Sequence, residues 1–197
     1  MSASSTDTLR AIFDQTVNVH QRYMTYGLDG IVIAASTISR ALASGRKVLA
    51  FGNGGSASDA EHLIAELVGR FEGERRALAG LALTADSSVL TAIGNDYGYE
   101  KLFARQVQAV GKAGDVFFGI STSGKSPNIL RALEECRSKG ITTVGFTGQS
   151  GGAMLALCDY CVRVPSTETP KIQEGHITLG HIVCGLVERE MFTPPKS

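Results

Sequence analysis

The sequence predicts a single α/β domain built around a parallel β-sheet. Short apolar runs typical of buried strands alternate along the chain with helical patterns, and a turn opens each run. No internal repeat, low-complexity segment or linker interrupts this alternation. Strands that alternate with helices fold into a parallel sheet with helices on both faces. With 197 residues, of which 43% are hydrophobic, the chain is long enough to build one full core.

The elements are placed in order along this single domain, residues 1–197. Two helices near 5–25 and 29–44 form an N-terminal extension within residues 1–45, and the α/β core covers 46–192. Apolar runs predict five strands, at 47–52, 78–84, 115–121, 142–148 and 160–165. Helical patterns lie near 57–71, 99–111, 127–139, 151–157 and 171–192. Ligands in such sheets bind beyond the carboxyl ends of the strands, so the loops after the strands are the first candidates for a site.

The charge balance argues against two classes of partner. Lys plus Arg and Asp plus Glu each number 19, so the formal net charge is zero. This balance does not indicate nucleic acid or a membrane surface as a partner. No apolar run reaches the length of a membrane span, and the N-terminal residues lack the apolar core of a signal peptide. We therefore expect a cytoplasmic protein.

A glycine-rich loop, FGNGGSASDAEH, follows the first strand. Gly52, Gly54 and Ala57 match the loose dinucleotide-binding pattern, but the acidic partner expected ~20 residues later is missing. Asp86, which ends the second strand, lies too far along the chain for that role. Because the free N–H groups of a helix N-terminus attract any phosphate, the loop indicates only a phosphate or another polar ligand.

The helix after this loop carries a polar stripe. Asp59, His62, Glu66 and Arg70 are spaced by three, four and four residues, which places them on one side of the helix. This stripe has two explanations, a solvated ladder of ion pairs or the wall of a site. In the second case, His62 and Glu66 could present a nitrogen and an oxygen to one metal ion.

The segment GISTSGKS, residues 119–126, follows the third strand and matches the P-loop pattern of nucleotide triphosphatases. Pro127 comes next, and proline favours the first helical position, which makes Ser126 the expected N-cap. The helix would then begin after Lys125, and a ligand would meet hydroxyls beside a helix N-terminus. This arrangement favours a sugar-phosphate loop over a plain turn or a nucleotide loop.

The last helical pattern is apolar, but Gln173, Glu174, His176 and His181 interrupt it. Three of the four histidines of the chain therefore lie on this helix and on the helix after the first strand. Gln173 and His181 are eight residues apart, which is about 12 Å along an ideal helix. If both residues bind one ion, either Gln173 extends from the helix start or the two residues come from different subunits.

Four segments, in this order and spacing, carry a resemblance to a known family: GNGGSASDAEH, IGNDYGYEKLF, GISTSGKSPNIL and TPKIQEGHITLGHIV. The chain resembles sugar isomerase (SIS) domain proteins from about residue 30 to 192, and is most similar to the phosphoheptose isomerases. The resemblance implies a flavodoxin-like five-stranded parallel sheet and a homotetramer with active sites at subunit interfaces. It also implies conversion of sedoheptulose 7-phosphate to D-glycero-D-manno-heptose 7-phosphate, the first step towards activated heptose for lipopolysaccharide core or capsule.

The family's site residues map onto this sequence position by position. The resemblance implies one zinc ion per subunit, bound by His62, Glu66, Gln173 and His181. It implies a substrate site made of Asn53, Gly54, Gly55, Asn95, Asp96, Ser121, Thr122, Ser123, Ser126 and Gln173. To this site we add Ser56, Glu66 and Arg70 as further expected substrate contacts. For the isomerisation we assign Glu66 and His181 as the acid/base pair and Asp59 as a third candidate, since a base bound tightly to zinc accepts protons poorly.

A regulatory SIS protein of the DnaA initiator-associating type is the alternative from another class. Such a protein is not an enzyme and could keep the phosphate loops without the acid/base residues. This sequence keeps His62, Glu66, Gln173 and His181, which favours the isomerase.

Overall fold

Five parallel strands form one sheet in the order β2-β1-β3-β4-β5. The structure, a computed structural model, describes residues 4–192. The strands are β1 (Val48–Gly52), β2 (Gly80–Ala82), β3 (Val116–Ser121), β4 (Thr142–Thr147) and β5 (Tyr160–Arg163). This is the flavodoxin-like strand order, and the order reverses between β1 and β3. The predicted fold class is confirmed.

Helices cover both faces of the sheet. The eight α-helices within residues 4–192 are α1 (Ser5–Tyr26), α2 (Leu28–Ala43), α3 (Gly55–Val68), α4 (Ser87–Tyr97), α5 (Leu102–Val110), α6 (Pro127–Ser138), α7 (Met154–Leu157) and α8 (Thr169–Phe192). A 3₁₀-helix, Tyr99–Lys101, precedes α5. None of the helices in this part of the chain is long and apolar enough to cross a membrane.

The central strands are buried on both faces, and alternate side chains supply two apolar clusters. Phe118 and Phe146 point towards α2, α3 and α8, in the cluster that also contains Leu179. Phe51 and Phe117 point to the opposite face, in the cluster formed with α5, α6 and α7. This double burial explains why the strands are continuous apolar runs in the sequence.

Two differences from the predicted elements have clear physical reasons. The pattern predicts no helix over 87–97, where α4 forms: no residue of this helix is fully buried, and five of its eleven residues are serine, glycine, asparagine or aspartate, which are weak helix formers. Asp86 caps it, because its Oδ1 accepts the N–H of Val89 at 3.0 Å. The second strand is shorter than the predicted 78–84, since β2 lies at the sheet edge and pairs only with β1.

Candidate active site

Two loops meet beyond β1 and β3, where the strand order reverses. Asn53 follows β1, and Asn128 is the second residue of α6. Their amides form a reciprocal pair: Asn128 Nδ2 donates to Asn53 Oδ1 at 2.8 Å, and Asn53 Nδ2 donates to Asn128 Oδ1 at 3.0 Å. The Tyr99 hydroxyl also donates to Asn53 Oδ1, at 3.0 Å. Three hydrogen bonds therefore hold the side chain of Asn53 in place.

The loop between β3 and α6 presents the hydroxyls that the sequence predicts. Ser121 is buried, Thr122 and Ser126 are half-buried, and Ser123 is exposed. The Oγ atoms of Ser121 and Ser126 lie 3.3 Å apart. Pro127 begins α6 and Ser126 occupies the N-cap position, so the helix does begin after the lysine. The Ser126 side chain makes no capping hydrogen bond, so its hydroxyl remains directed at the loop.

The glycine loop after β1 leads directly into α3. Gly54 has a φ of +57°, a conformation that glycine adopts readily. Ser56, in the first turn of α3, is buried. A Cβ atom on Gly55 would lie 2.3 Å from Gln173 Nε2, so the Gln173 amide packs directly on the backbone at the start of α3.

The helices α3 and α8 pack closely against each other. A Cβ atom on Gly180 would lie 2.5 Å from Leu63 Cδ2, so the glycine leaves room for the buried Leu63 side chain between the two helices. The close approach brings His181 of α8 to His62 and Glu66 of α3.

Three potential metal-binding side chains converge between these helices. His62 Nε2 lies 2.9 Å from His181 Nε2 and 3.2 Å from Glu66 Oε1. One donor atom from each residue lies within 4.8 Å of the others. The His62 side chain is 45% exposed and that of Glu66 is 22% exposed, so a small molecule can reach the cluster from solvent.

The other two residues of the α3 stripe have different surroundings. Asp59 is half-buried, and its Oδ2 has no hydrogen-bond partner among residues 4–192. Burial raises the pKa of the Asp59 carboxyl, and nearby His62 offsets part of this rise. Arg70 is exposed and lies 3.9 Å from the Glu74 carboxylate, rather than against Glu66.

The predicted substrate residues Asn95 and Asp96 lie near the end of α4. Both are exposed, and Asn95 Nδ2 donates to Asp96 Oδ1 at 2.8 Å. The preceding residue, Gly94, lines a cavity of about 330 Å³. Asn53 and Gly54 line the same cavity, so the end of α4 lies beside the glycine loop.

Comparisons with known proteins agree on one family. A family model described as the SIS domain matches residues 13–148. A phosphoheptose isomerase of Burkholderia pseudomallei is 64% identical over 151 residues, which are 77% of each chain. Phosphoheptose isomerase 2 of Campylobacter jejuni is 60% identical over 159 residues, 81% of this chain and 79% of that protein. The chain belongs to the phosphoheptose isomerase family of SIS-domain proteins.

Solved structures of the phosphoheptose isomerase family have the same fold. The phosphoheptose isomerase of Francisella tularensis superimposes with a TM-score of 0.91 at 36% identity, covering 95% of this chain and 100% of that chain. That of Neisseria gonorrhoeae gives a TM-score of 0.89 at 39% identity, covering 94% and 99%. These matches do not favour the regulatory, non-enzymatic alternative.

The donor atoms of the cluster fit the zinc ion that the family resemblance implies. His62 Nε2 faces both another imidazole nitrogen and a carboxylate oxygen. One ring nitrogen carries either a proton or a lone pair, so it cannot satisfy both neighbours well, whereas a cation among the three satisfies all of them. At zinc–nitrogen distances of about 2.0 Å, tetrahedral geometry separates two donor atoms by roughly 3.3 Å. His62 Nε2 lies at similar distances from its two neighbours, 2.9 Å from His181 Nε2 and 3.2 Å from Glu66 Oε1.

Gln173 contacts the first residue of α3, Gly55, whereas the cluster of His62, Glu66 and His181 lies further along that helix. Gly55 precedes His62 by seven residues, or about 10 Å along an ideal helix. A metal-binding role for Gln173 therefore stays a prediction, as does a site that a second subunit completes.

Sequence reasoning missed three residues that support the site. Asn128 and Tyr99 hold Asn53, and the ring of Phe71 stacks on the imidazole of His181 with centroids 5.7 Å apart. Asn128 and Tyr99 occur within two of the family segments, but nothing in their spacing indicates a partner. Their roles depend on contacts between residues distant in the sequence.

Proposed function

We propose that this chain isomerises sedoheptulose 7-phosphate to D-glycero-D-manno-heptose 7-phosphate, at the start of heptose biosynthesis. The observation that carries the proposal is the cluster of His62, Glu66 and His181 in a chain that also presents a hydroxyl loop at the switch point. Curated relatives named phosphoheptose isomerase, at 54–64% identity, support the same reaction.

The loops after β1 and β3 would bind the substrate. A sugar phosphate needs donors for a dianion, and the loop of Ser121, Thr122, Ser123 and Ser126 offers four hydroxyls before the N-terminus of α6. The amide of Asn53 is already fixed by its neighbours, so little conformational freedom is lost when a sugar hydroxyl binds there.

The reaction moves a proton from C1 to C2 of the sugar through a cis-enediol. In this proposal Glu66 and His181 take and return the proton, because both side chains lie in one solvent-accessible cluster. Asp59 is the third candidate, since it lies on the same side of α3 outside the three clustered ligands and its Oδ2 has no hydrogen-bond partner among the described residues, and burial raises its pKa. Zinc held by His62, Glu66 and His181 would supply Lewis-acid stabilisation of the substrate oxygens.

A coupled assay with sedoheptulose 7-phosphate tests the reaction. We expect turnover by the wild type, a fall of about 10²- to 10⁴-fold in kcat for His181→Ala and Glu66→Gln, and little change for His20→Ala. His20 is the matched control because its ring contacts Thr16 and Thr178, away from the cluster. Full activity of His181→Ala at saturating substrate would remove His181 from the catalytic set.

Chelation tests the metal separately. We expect a chelator to abolish turnover, Zn²⁺ to restore it, and metal analysis to find about one ion per chain. Undiminished activity after the metal has been removed would refute the zinc part of the proposal and leave the isomerisation intact.

We propose that the chain assembles as a homotetramer with sites at subunit interfaces. Leu9, Phe13 and Val17 on α1 are between 52% and 69% exposed, and they are spaced by four residues, so they form an apolar stripe on the outer face of that helix. A second copy of the chain would cover this stripe. The cytoplasmic location stays a prediction.

A further inference from the structure

We infer that Phe71 is a positioning residue for the His181 imidazole, and that a buried pair of side chains, Glu188 and Arg75, holds Phe71 in place. We call this pair with its hydrogen bonds the Glu188 clamp. The inference rests on the proposed function, because it assigns Phe71 an effect on a residue that works in that reaction.

The imidazole of His181 lies between two rings. The Phe71 ring stacks on it with centroids 5.7 Å apart and an interplanar angle of 27°. The His62 ring approaches edge-on, with centroids 5.0 Å apart and an angle of 64°. On α8, one turn after His181, a Cβ atom at Gly185 would lie 3.3 Å from Phe71 Cε1, so the glycine leaves room for the phenyl ring. Phe71 therefore restricts rotation of the imidazole about χ2, a torsion that is broad in a free histidine.

Phe71 lies outside any helix or strand, so secondary structure does not fix its ring. The carboxylate of Glu188 on α8 fixes the loop instead. It accepts the backbone N–H groups of three successive residues, Phe71 at 3.2 Å, Glu72 at 3.1 Å and Gly73 at 2.6 Å. The Glu188 side chain is only 11% exposed, and hydrogen bonds to a buried carboxylate are strong.

Arg75 connects the same carboxylate to α3. Its side chain is 3% exposed, and its Nε donates to Glu188 Oε2 at 2.9 Å. The other guanidinium nitrogens donate to the carbonyl oxygens of Glu66 at 2.7 Å and Leu67 at 2.9 Å, in the last turn of α3. The Glu188 clamp therefore joins three parts of the site: the end of the helix that carries Glu66, the loop that carries Phe71, and the helix that carries His181.

Phe71→Leu removes the stacked ring and keeps an apolar side chain. Stacking between two aromatic rings stabilises their arrangement by an amount that corresponds to about a threefold to tenfold change in a rate. We therefore expect kcat of Phe71→Leu to fall by that factor, with KM within about twofold of the wild-type value. Phe71→Tyr keeps the ring face and should retain wild-type kcat. Tyr160→Leu is the matched control: Tyr160 is also half-buried against the same core cluster, but it lies on β5 at the far edge of the sheet and outside the Glu188 clamp. We expect it to leave kcat unchanged.

A second measurement does not depend on turnover. With ¹³Cε1-labelled histidine the chain has four signals, and His181→Ala assigns that of His181. Stacking on Phe71 should shift the His181 ring proton upfield, and Phe71→Leu should abolish this shift while Phe71→Tyr and Tyr160→Leu preserve it. Co²⁺ added alone to the chelator-treated protein should also bind about threefold to tenfold more weakly in Phe71→Leu.

The outcomes separate the two proposals. If the wild type has no isomerase activity, the proposed function fails, and the His181 signal and Co²⁺ affinity still decide the role of Phe71. An unchanged His181 signal in Phe71→Leu overturns the positioning role. So does a loss of kcat in Tyr160→Leu as large as that in Phe71→Leu, because the effect would then reflect packing in general.

Discussion

His176 lies at the interface between α8 and the sheet, and it makes the stability of this protein depend on pH. The side chain is 1% exposed, and neither ring nitrogen has a hydrogen-bond partner with good geometry among the described residues. Its ring lies 5.8 Å from that of Phe146. Burial lowers the pKa of His176 to about 4, and a weak contact with the backbone of Thr147 offsets little of this. The native protein therefore keeps His176 neutral in mildly acidic solution.

The size of the effect follows from the two pKa values. In the unfolded chain the pKa of His176 is 6.5, so below this pH the unfolded state binds a proton that the native state does not bind. Stability then falls as pH falls, by up to about 1.4 kcal/mol per pH unit, until the native state also protonates near pH 4. Over this interval His176 alone removes about 3 kcal/mol, a large part of the 5–15 kcal/mol typical of a folded protein.

Urea unfolding at several pH values from 7.5 to about 4.5 measures this loss. The chain has no tryptophan, so far-UV circular dichroism is the suitable probe, with protein concentration held constant because assembly also affects stability. We expect His176→Gln to be less stable than the wild type at pH 7.5 but to lose much less stability on acidification, while His20→Gln keeps the wild-type pH dependence. Equal losses in the wild type and His176→Gln would refute the argument.

Three further predictions concern the site and the assembly. Ser123→Ala should raise KM for the phosphorylated sugar severalfold, whereas Lys125→Ala should change it much less, and hydrolysis of ATP that depends on Lys125 would restore the nucleotide-loop alternative. Gly180→Val should crowd the buried Leu63 side chain beside His181, lowering activity and Co²⁺ affinity together, and a fully active variant would show that Leu63 alone absorbs the added volume. Phe13→Glu, on the exposed face of α1, should reduce the mass measured by light scattering towards that of smaller assemblies, and an unchanged mass would place the subunit interface elsewhere.

Sequence patterns predicted the fold well where strands are buried on both faces. β1, β3 and β4 are continuous apolar runs in the sequence because helices cover both sides of each strand. The helix α4 escaped prediction because its weak helix formers, Ser87, Ser88, Gly94, Asn95 and Asp96, obscure a short apolar stripe that is only half-buried. The start of α6 was predicted because Pro127 is a local marker of the first helical position.

The sequence by itself determined the chemical types at the site and their local order. The helical spacing of His62 and Glu66 placed both on one side of α3, and the family segments indicated that His181 belongs with them. Only the tertiary structure decided that the donor atoms of these residues meet, because the contact requires α8 to lie against α3 at Gly180.

The supporting residues show the same division. The partner of Asn53 and the ring that stacks on His181 come from distant parts of the chain, and no local pattern selects one buried asparagine or phenylalanine over another. Helix periodicity and capping act over a few residues and can be read from the sequence. Contacts between elements depend on the relative placement of whole helices, which the packing of the core decides.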